Sequence, residues 1–533
     1  MSEPKPTKRP RDPRLDFFRG LAMFIILLAH TPGNTWTLWI PARFGFSDAT
    51  EIFVFCSGMA SALAFGAVFA KRGFLLGSAR IGFRVWQVYW AHIGVLLVTA
   101  LMLFAIDHYG LGARERPYIE GPWVRPLFDQ TGEALIGLFT LTWVPGLFDI
   151  LPMYLVILAM IPLVMLAHAA FGRPGVAVVV LGLWFAATLA GYARQYGDEE
   201  DFAQLAAWQQ SLVGFGRPFL WMNFPSYPFG EGTWFFNPFG WQLVFFTGFA
   251  FGMGWLKAPP VDRRLIWLAA FIVIATVPLA WYKFHYNYSI VGGTFLHDWI
   301  VATRSFLEPL RWKTWQGLGR FVHFLALAYL AWVAVGAGGV RLAQGFSQPW
   351  VPSLTLQRVA LAVLVLSLPI AYPEEIGWFI SGYDEWLSEG LGLSFNQIGM
   401  LQLAHLVALL LMVWSLIGSE GRTWLARDAL LKAVPVIRKV GTQSLAVFMV
   451  SIPLARFNGW LLDLAGRDVW SRAGINLFGF AVLIGVAYFA AWIKRQPWRE
   501  PVAPRPNDRP EDRRPPSPAP ASAPGTGPVP ARA

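Results

Sequence analysis

Runs of about twenty apolar residues recur along this chain, near 16-32, 49-70, 82-106, 150-170, 175-193, 239-257, 264-282, 320-338, 355-372, 398-417, 442-457 and 473-493. A helix of that length crosses the hydrocarbon of a bilayer, where a backbone without water must satisfy its own hydrogen bonds. The runs therefore predict an all-α polytopic integral membrane protein of about twelve transmembrane helices. Composition agrees, since the 533 residues are 55% hydrophobic and 14% charged, with mean hydropathy +0.46. Soluble domains carry about 25% charged residues.

Charge sets the expected direction of threading. The net charge of +11 gathers in the N-terminal tail up to Arg14, around Lys71 and Arg84, around Lys257 and Arg264, between Arg422 and Lys439, and at Lys494 and Arg495. Basic loops stay cytoplasmic, so both termini are expected in the cytoplasm, and no nucleic-acid partner is implied. The alternate stretches 107-149, 194-238 and 283-319 are long and rich in Trp, Tyr, Pro and Gly, and 373-397 is acidic; these are expected to face outward. Aromatic faces over a membrane mouth suit a sugar, because they pack on its CH surfaces while polar groups take its hydroxyls. The same residues also serve as an ordinary interfacial belt. Segment 199-215 reads as an interfacial amphipathic helix, and 134-148 is too short to span.

The basic start leads into an apolar run without a small-residue cleavage site, so the first helix is expected to stay. Residues 1-13 read as a basic tail, 14-496 as the membrane domain, and 497-533 as a Pro/Ala-rich disordered tail. With Cys56 the single cysteine, neither an intrachain disulfide nor a thiolate metal cluster is expected. No P-loop, dinucleotide glycine fingerprint, HExxH or GxSxG motif occurs.

The first helix carries a polar stripe. At about 100° per residue Arg19 and His30 project roughly 20° apart, and Asp16 lies on the same side. Ionisable groups in a bilayer are costly unless they face the bundle interior, so such a stripe marks a functional site. Eleven residues place His30 roughly 16 Å from Arg19, with Arg19 near the inner face and His30 in the outer half. Thr31-Pro-Gly-Asn34 ends the helix, and the next span begins with Asp48 and Glu51, three apart on one face. A carboxylate beside an imidazole fixes its tautomer and stabilises the imidazolium, so Asp48 or Glu51 is expected to orient His30 as a general base. Asn34, Asn237, Trp241 and His323 are candidates for lining a substrate pocket.

Three blocks resemble the OpgC family: Asp12-Pro-Arg-Leu-Asp-Phe-Phe-Arg-Gly-Leu, His30-Thr-Pro-Gly-Asn34 and Phe44-Gly-Phe-Ser-Asp-Ala-Thr-Glu-Ile-Phe-Val-Phe-Cys-Ser-Gly58. Supporting matches are Phe236-Asn-Pro-Phe-Gly-Trp-Gln-Leu243, His323-Phe-Leu-Ala-Leu-Ala-Tyr-Leu330 and Gly441-Thr-Gln-Ser-Leu-Ala-Val-Phe448. That family comprises inner-membrane proteins implicated in succinylating osmoregulated periplasmic glucans. The wider acyltransferase family 3 is similar in having an arginine, ten residues, then a histidine in the first span, which Arg19 and His30 match.

The resemblance implies acyl transfer from an acyl-CoA donor, succinyl-CoA or acetyl-CoA, to a periplasmic glucan hydroxyl in the bacterial inner membrane, with membrane lipid around it and no tightly bound cofactor. Arg19, with Asp16 beside it, would serve the donor. About a hundred residues between the His323 and Gly441 blocks depart from the family pattern and imply a ten-helix core plus an extra pair. A transporter or flippase, for which the stripe would be a translocation path, is the rival reading, although no internal repeat accompanies it. A membrane partner without chemistry is a third, and would not need His30.

Overall fold

The computed structural model describes residues 12–226, 229, 232–286, 291–344, 352–371, 386, 395–417 and 430–498. The expected acidic loop, the inner loop around Arg422 and Arg427, residues 1–11 and most of the C-terminal tail lie outside them. The chain divides into a unit over Met1–Ala490 and a second over Ala491–Ala533. The described residues are helical and contain no strand.

Helix starts follow local chemistry. Helix α1, Pro13–His30, opens with proline in its first turn and Asp12 as its cap, whose carboxylate accepts from the Arg14 N–H at 2.9 Å. Helix α2, Ala49–Ser61, opens on a reciprocal capping box made by Asp48 and Glu51. It continues through a π-helical turn, Ala62–Gly66, into α3, Ala67–His108, which Gly73 interrupts at φ 78°. Helices α4, Ile150–Ala159, and α5, Ile161–Gln195, form a second long stretch, interrupted at Gly172 with φ 64°. After these come α6, Pro238–Met253; α7, Arg263–Ala280; and α8, Leu318–Val335. The last are α9, Leu354–Ala371; α10, Phe395–Ile417; α11, Leu430–Thr442; α12, Ser444–Ala465; and α13, Val469–Arg495.

Six helical stretches among the described residues are long and apolar enough to cross a membrane: Ala49–His108, Ile150–Gln195, Arg263–Ala280, Leu318–Val335, Ser444–Ala465 and Val469–Arg495. The first runs over 60 residues, which at about 1.5 Å per residue is enough for two crossings. Its best apolar window is 56% buried inside the protein, whereas that of Arg263–Ala280 is 6% buried. Stretch α7 therefore turns Trp267, Phe271 and Ile274 outward, toward what in a membrane is hydrocarbon.

Helix α1 is the hub, packed against α2, α11 and α12. Small residues make these crossings close, as in membrane bundles generally. A Cβ on Gly20 would run into the Ile437 carbonyl, and one on Gly441 into the Asp16 carbonyl. Helices α2 and α6 meet in the same way, with Gly58 against the Phe245 carbonyl and Gly248 against that of Phe55. Around these contacts Trp241, Phe245, Phe249, Phe324 and Phe448 are fully buried. Helices α9 and α10, the pair absent from the expected family core, pack on one another, with Ser367 Oγ 2.9 Å from His405 Nδ1.

Candidate active site

Helix α1 buries Asp16 and Arg19 at one end and holds His30 at the other. The Arg19 guanidinium donates to the Cys56 carbonyl of α2 at 2.5 Å, which ties the first two spans together near the inner end expected for the chain. His30 Nδ1 lies 2.8 Å from the Ile26 carbonyl. A carbonyl can only accept, so the neutral ring carries its proton on Nδ1 and its lone pair on Nε2. A backbone carbonyl thus fixes the tautomer, the task expected of a carboxylate. His30 also lies within electrostatic reach of Asp48, Lys313 and Arg456.

Asp48 and Glu51 make their contacts elsewhere. Glu51, fully buried, accepts from Arg320 Nε at 2.9 Å and lies 2.6 Å from its Nη2, while its other oxygen accepts from the Asp48 N–H at 2.8 Å. Asp48 accepts from the Thr50 N–H at 2.7 Å with one oxygen. Its other oxygen takes Lys313 Nζ at 2.6 Å and Arg320 Nη2 at 3.4 Å. The four charges form a chain graded in exposure, from Glu51 at 0% through Arg320 at 9% and Asp48 at 14% to Lys313 at 32%. Lys313 is therefore the most accessible member of the chain. Asp149, buried just before α4, is also within its electrostatic reach.

The segment carrying Lys313 is clamped through its backbone. Trp241 Nε1 donates to the Lys313 carbonyl at 2.8 Å, the Asn237 N–H to the Thr314 carbonyl at 3.0 Å, and Trp184 Nε1 to the Gln316 carbonyl at 3.0 Å. Asn237 also caps α6, accepting from the Phe239 N–H at 2.9 Å, and donates to the Met222 carbonyl at 2.7 Å. Asn237 and Trp241 thus spend their side chains on positioning backbone. Replacing Trp241 by phenylalanine leaves the Lys313 carbonyl without that donor, at about 1–3 kcal/mol. The expected result is a lower melting temperature in detergent, read as a shifted thermal melting curve against wild type.

His323 is buried on α8, with Nδ1 2.7 Å from Ser47 Oγ and 3.3 Å from the Ser47 N–H. Gly45 leaves room for its ring, which an added Cβ would strike. Since Ser47 directly precedes Asp48, His323 braces the start of α2. Asn34 forms a reciprocal amide pair with Asn476, at 2.9 and 3.1 Å. The stretch after α3, expected to face outward, is bound to α12 by Tyr118 Oη, which donates to Asp463 at 2.7 Å, and by Trp460 Nε1, which donates to the Leu111 carbonyl at 2.8 Å. Burial and the Asp463 carboxylate push the Tyr118 hydroxyl up to about 12, so it remains a donor at physiological pH.

Sequence reasoning passed over Lys313 and Arg320. One signal was present: Arg320 stands three residues before His323 in an apolar span, so the two share a face. Lys313, in an aromatic loop, offered none. Among the described residues no group of three His, Cys, Asp or Glu could hold a metal ion.

A family model described as OpgC protein matches residues 11–352 and 338–495. No curated protein and no solved structure matches the chain.

Proposed function

The chain belongs to the OpgC family, and on that premise we propose that it is a membrane O-acyltransferase that passes a succinyl group from acyl-CoA to a hydroxyl of a periplasmic glucan. We place it in the bacterial inner membrane with about twelve crossings and both termini cytoplasmic. The observation that supports this reading is the single helix α1, which holds Arg19 toward one end and a tautomer-fixed His30 at the other, within electrostatic reach of Lys313.

In the proposed reaction His30 Nε2 takes the proton of the acceptor hydroxyl as its oxygen attacks the thioester carbonyl. The new C–O bond forms, the carbonyl oxygen becomes an oxyanion, and Lys313 is the cation placed to stabilise it. As the oxyanion collapses the C–S bond breaks, and the imidazolium returns its proton to the departing sulfur, leaving free CoA. Arg19, with Asp16 beside it, serves the anionic donor from the inner side. Asp48 and Glu51 act through the cations, with Asp48 holding Lys313 and Glu51 holding Arg320.

Purified full-length protein in detergent, mixed with succinyl-CoA or acetyl-CoA and a glucan, is expected to release CoA only when the glucan is present. No release with any donor would overturn the reading and favour transport instead. Mass spectrometry of periplasmic glucans from deletion and wild-type strains identifies acyl group and acceptor together.

A further inference from the structure

Near the outer end of α1 the structure holds two arginines in an unusual setting. The Arg456 guanidinium lies over the Trp123 ring at 4.4 Å, and that of Arg114 over the Tyr118 ring at 3.8 Å. Both rings belong to the stretch between α3 and Thr131 that Tyr118 and Trp460 fasten to α12. Glu115, next to Arg114 in sequence, pairs with neither arginine, and four other carboxylates of this region are engaged with other groups. Glu120 pairs with Arg116 and Asp129 with Arg125, Asp463 takes Arg467 and Tyr118, and Asp107 accepts the Tyr118 and Ile119 N–H groups. Among the described residues neither Arg456 nor Arg114 has an ion pair.

A half-buried arginine stacked on indole and left without a carboxylate is set up to take one from a ligand, because guanidinium binds carboxylate strongly once water is displaced. Its place relative to the base narrows the choice of ligand. Helix α12 packs on α1, Gly459 lies against Pro32, and Arg456 sits one turn before Gly459. That puts it at the level of His30. Three C–C bonds separate the two carbonyl carbons of a four-carbon diacid, a span of about 4 Å.

We propose that Arg456, supported by Arg114, forms the subsite that receives the free carboxylate of a dicarboxylic acyl group while its thioester end lies at His30. This rests on the acyltransferase reading above. Arg456 is then the residue that makes the protein select a diacid over a neutral acyl chain of equal length. An anionic substituent on the acceptor presents similar chemistry, and a neutral glucan removes that source from the test.

Full-length wild type, Arg456→Gln, Arg456→Lys and Arg114→Gln are compared in detergent with succinyl-CoA and butyryl-CoA on a neutral glucan. The readout is the succinyl-to-butyryl ratio of kcat/KM. Arg456→Gln is expected to lower it about 10- to 100-fold, mostly through KM for succinyl-CoA. Arg456→Lys should lower it less. Arg114→Gln, on an exposed loop where folding is not at stake, should lower it about 3-fold.

A ratio unchanged in Arg456→Gln or in Arg456→Lys and Arg114→Gln together overturns the proposal, as does a parallel fall with both donors. A wild type that transfers butyryl but not succinyl overturns it together with the succinyl assignment, and leaves acyl transfer itself standing. A wild type inert with every acyl-CoA overturns both.

Discussion

Replacing His30 by alanine is expected to lower acyl transfer by about 10²- to 10⁴-fold, the usual worth of a positioned general base, while leaving the amount of membrane-inserted protein unchanged. The second half follows from where the ring sits. Its recorded bond is made to the Ile26 carbonyl within its own helix, at the last turn of α1, so its loss frees an end carbonyl and cuts no link to another span. Glutamine provides the sharper control. Its amide can donate to the Ile26 carbonyl as the imidazole does, yet it has no basic nitrogen. If His30 served the fold alone, His30→Gln would keep activity; if it is the base, His30→Gln and His30→Ala are equally inactive. The measurement is glucan-dependent CoA release in detergent, with the acyl content of periplasmic glucan checked in cells. Full substitution of the glucan in a His30→Gln strain would remove His30 from the mechanism.

Much of this framework was legible in the chain itself. Each apolar run overlaps a helix, and several, such as 239-257, 264-282 and 355-372, match one to within a few residues, because in a bilayer length and hydropathy are nearly the whole requirement. The runs at 49-70 and 82-106 fall in one helical stretch, Ala49–His108, interrupted at Gly73 between them; hydropathy separates the runs without showing that helix continues across the gap. Asp48 followed three residues later by Glu51 was equally readable as a helix start, and it forms a capping box. The partners of those carboxylates were not readable. Lys313 and Arg320 are separated from them by more than 260 residues of sequence, and no local periodicity encodes a contact of that range. The block around Asn237 and Trp241 was visible as a motif, but its task depends on which backbone lies opposite, and the Lys313 segment enters only with the fold. The Ile26 carbonyl that orients His30 belongs to every helix four residues back, so sequence gave no reason to prefer it over a nearby acid.

The largest expected effect on stability comes from the Glu51–Arg320 pair. Arg320→Met leaves a carboxylate with no exposed surface and no guanidinium, and removing one partner of a buried pair costs about 3–5 kcal/mol. The variant should melt well below wild type in detergent and accumulate poorly in the membrane. Adding Glu51→Gln should recover more than half of that loss, because much of the cost is the stranded charge rather than the bond. If the double variant is as unstable as the sum of the two single ones, the residues are not coupled and the contact is incidental. Lys313→Met behaves oppositely, since a side chain 32% exposed to solvent contributes about 0–1 kcal/mol through its ion pair. Its melting curve should hardly move while transfer falls. The chain of four charges then divides by burial: Glu51 and Arg320 join α8 to α2, and Asp48 passes the link on to the more exposed Lys313 ammonium.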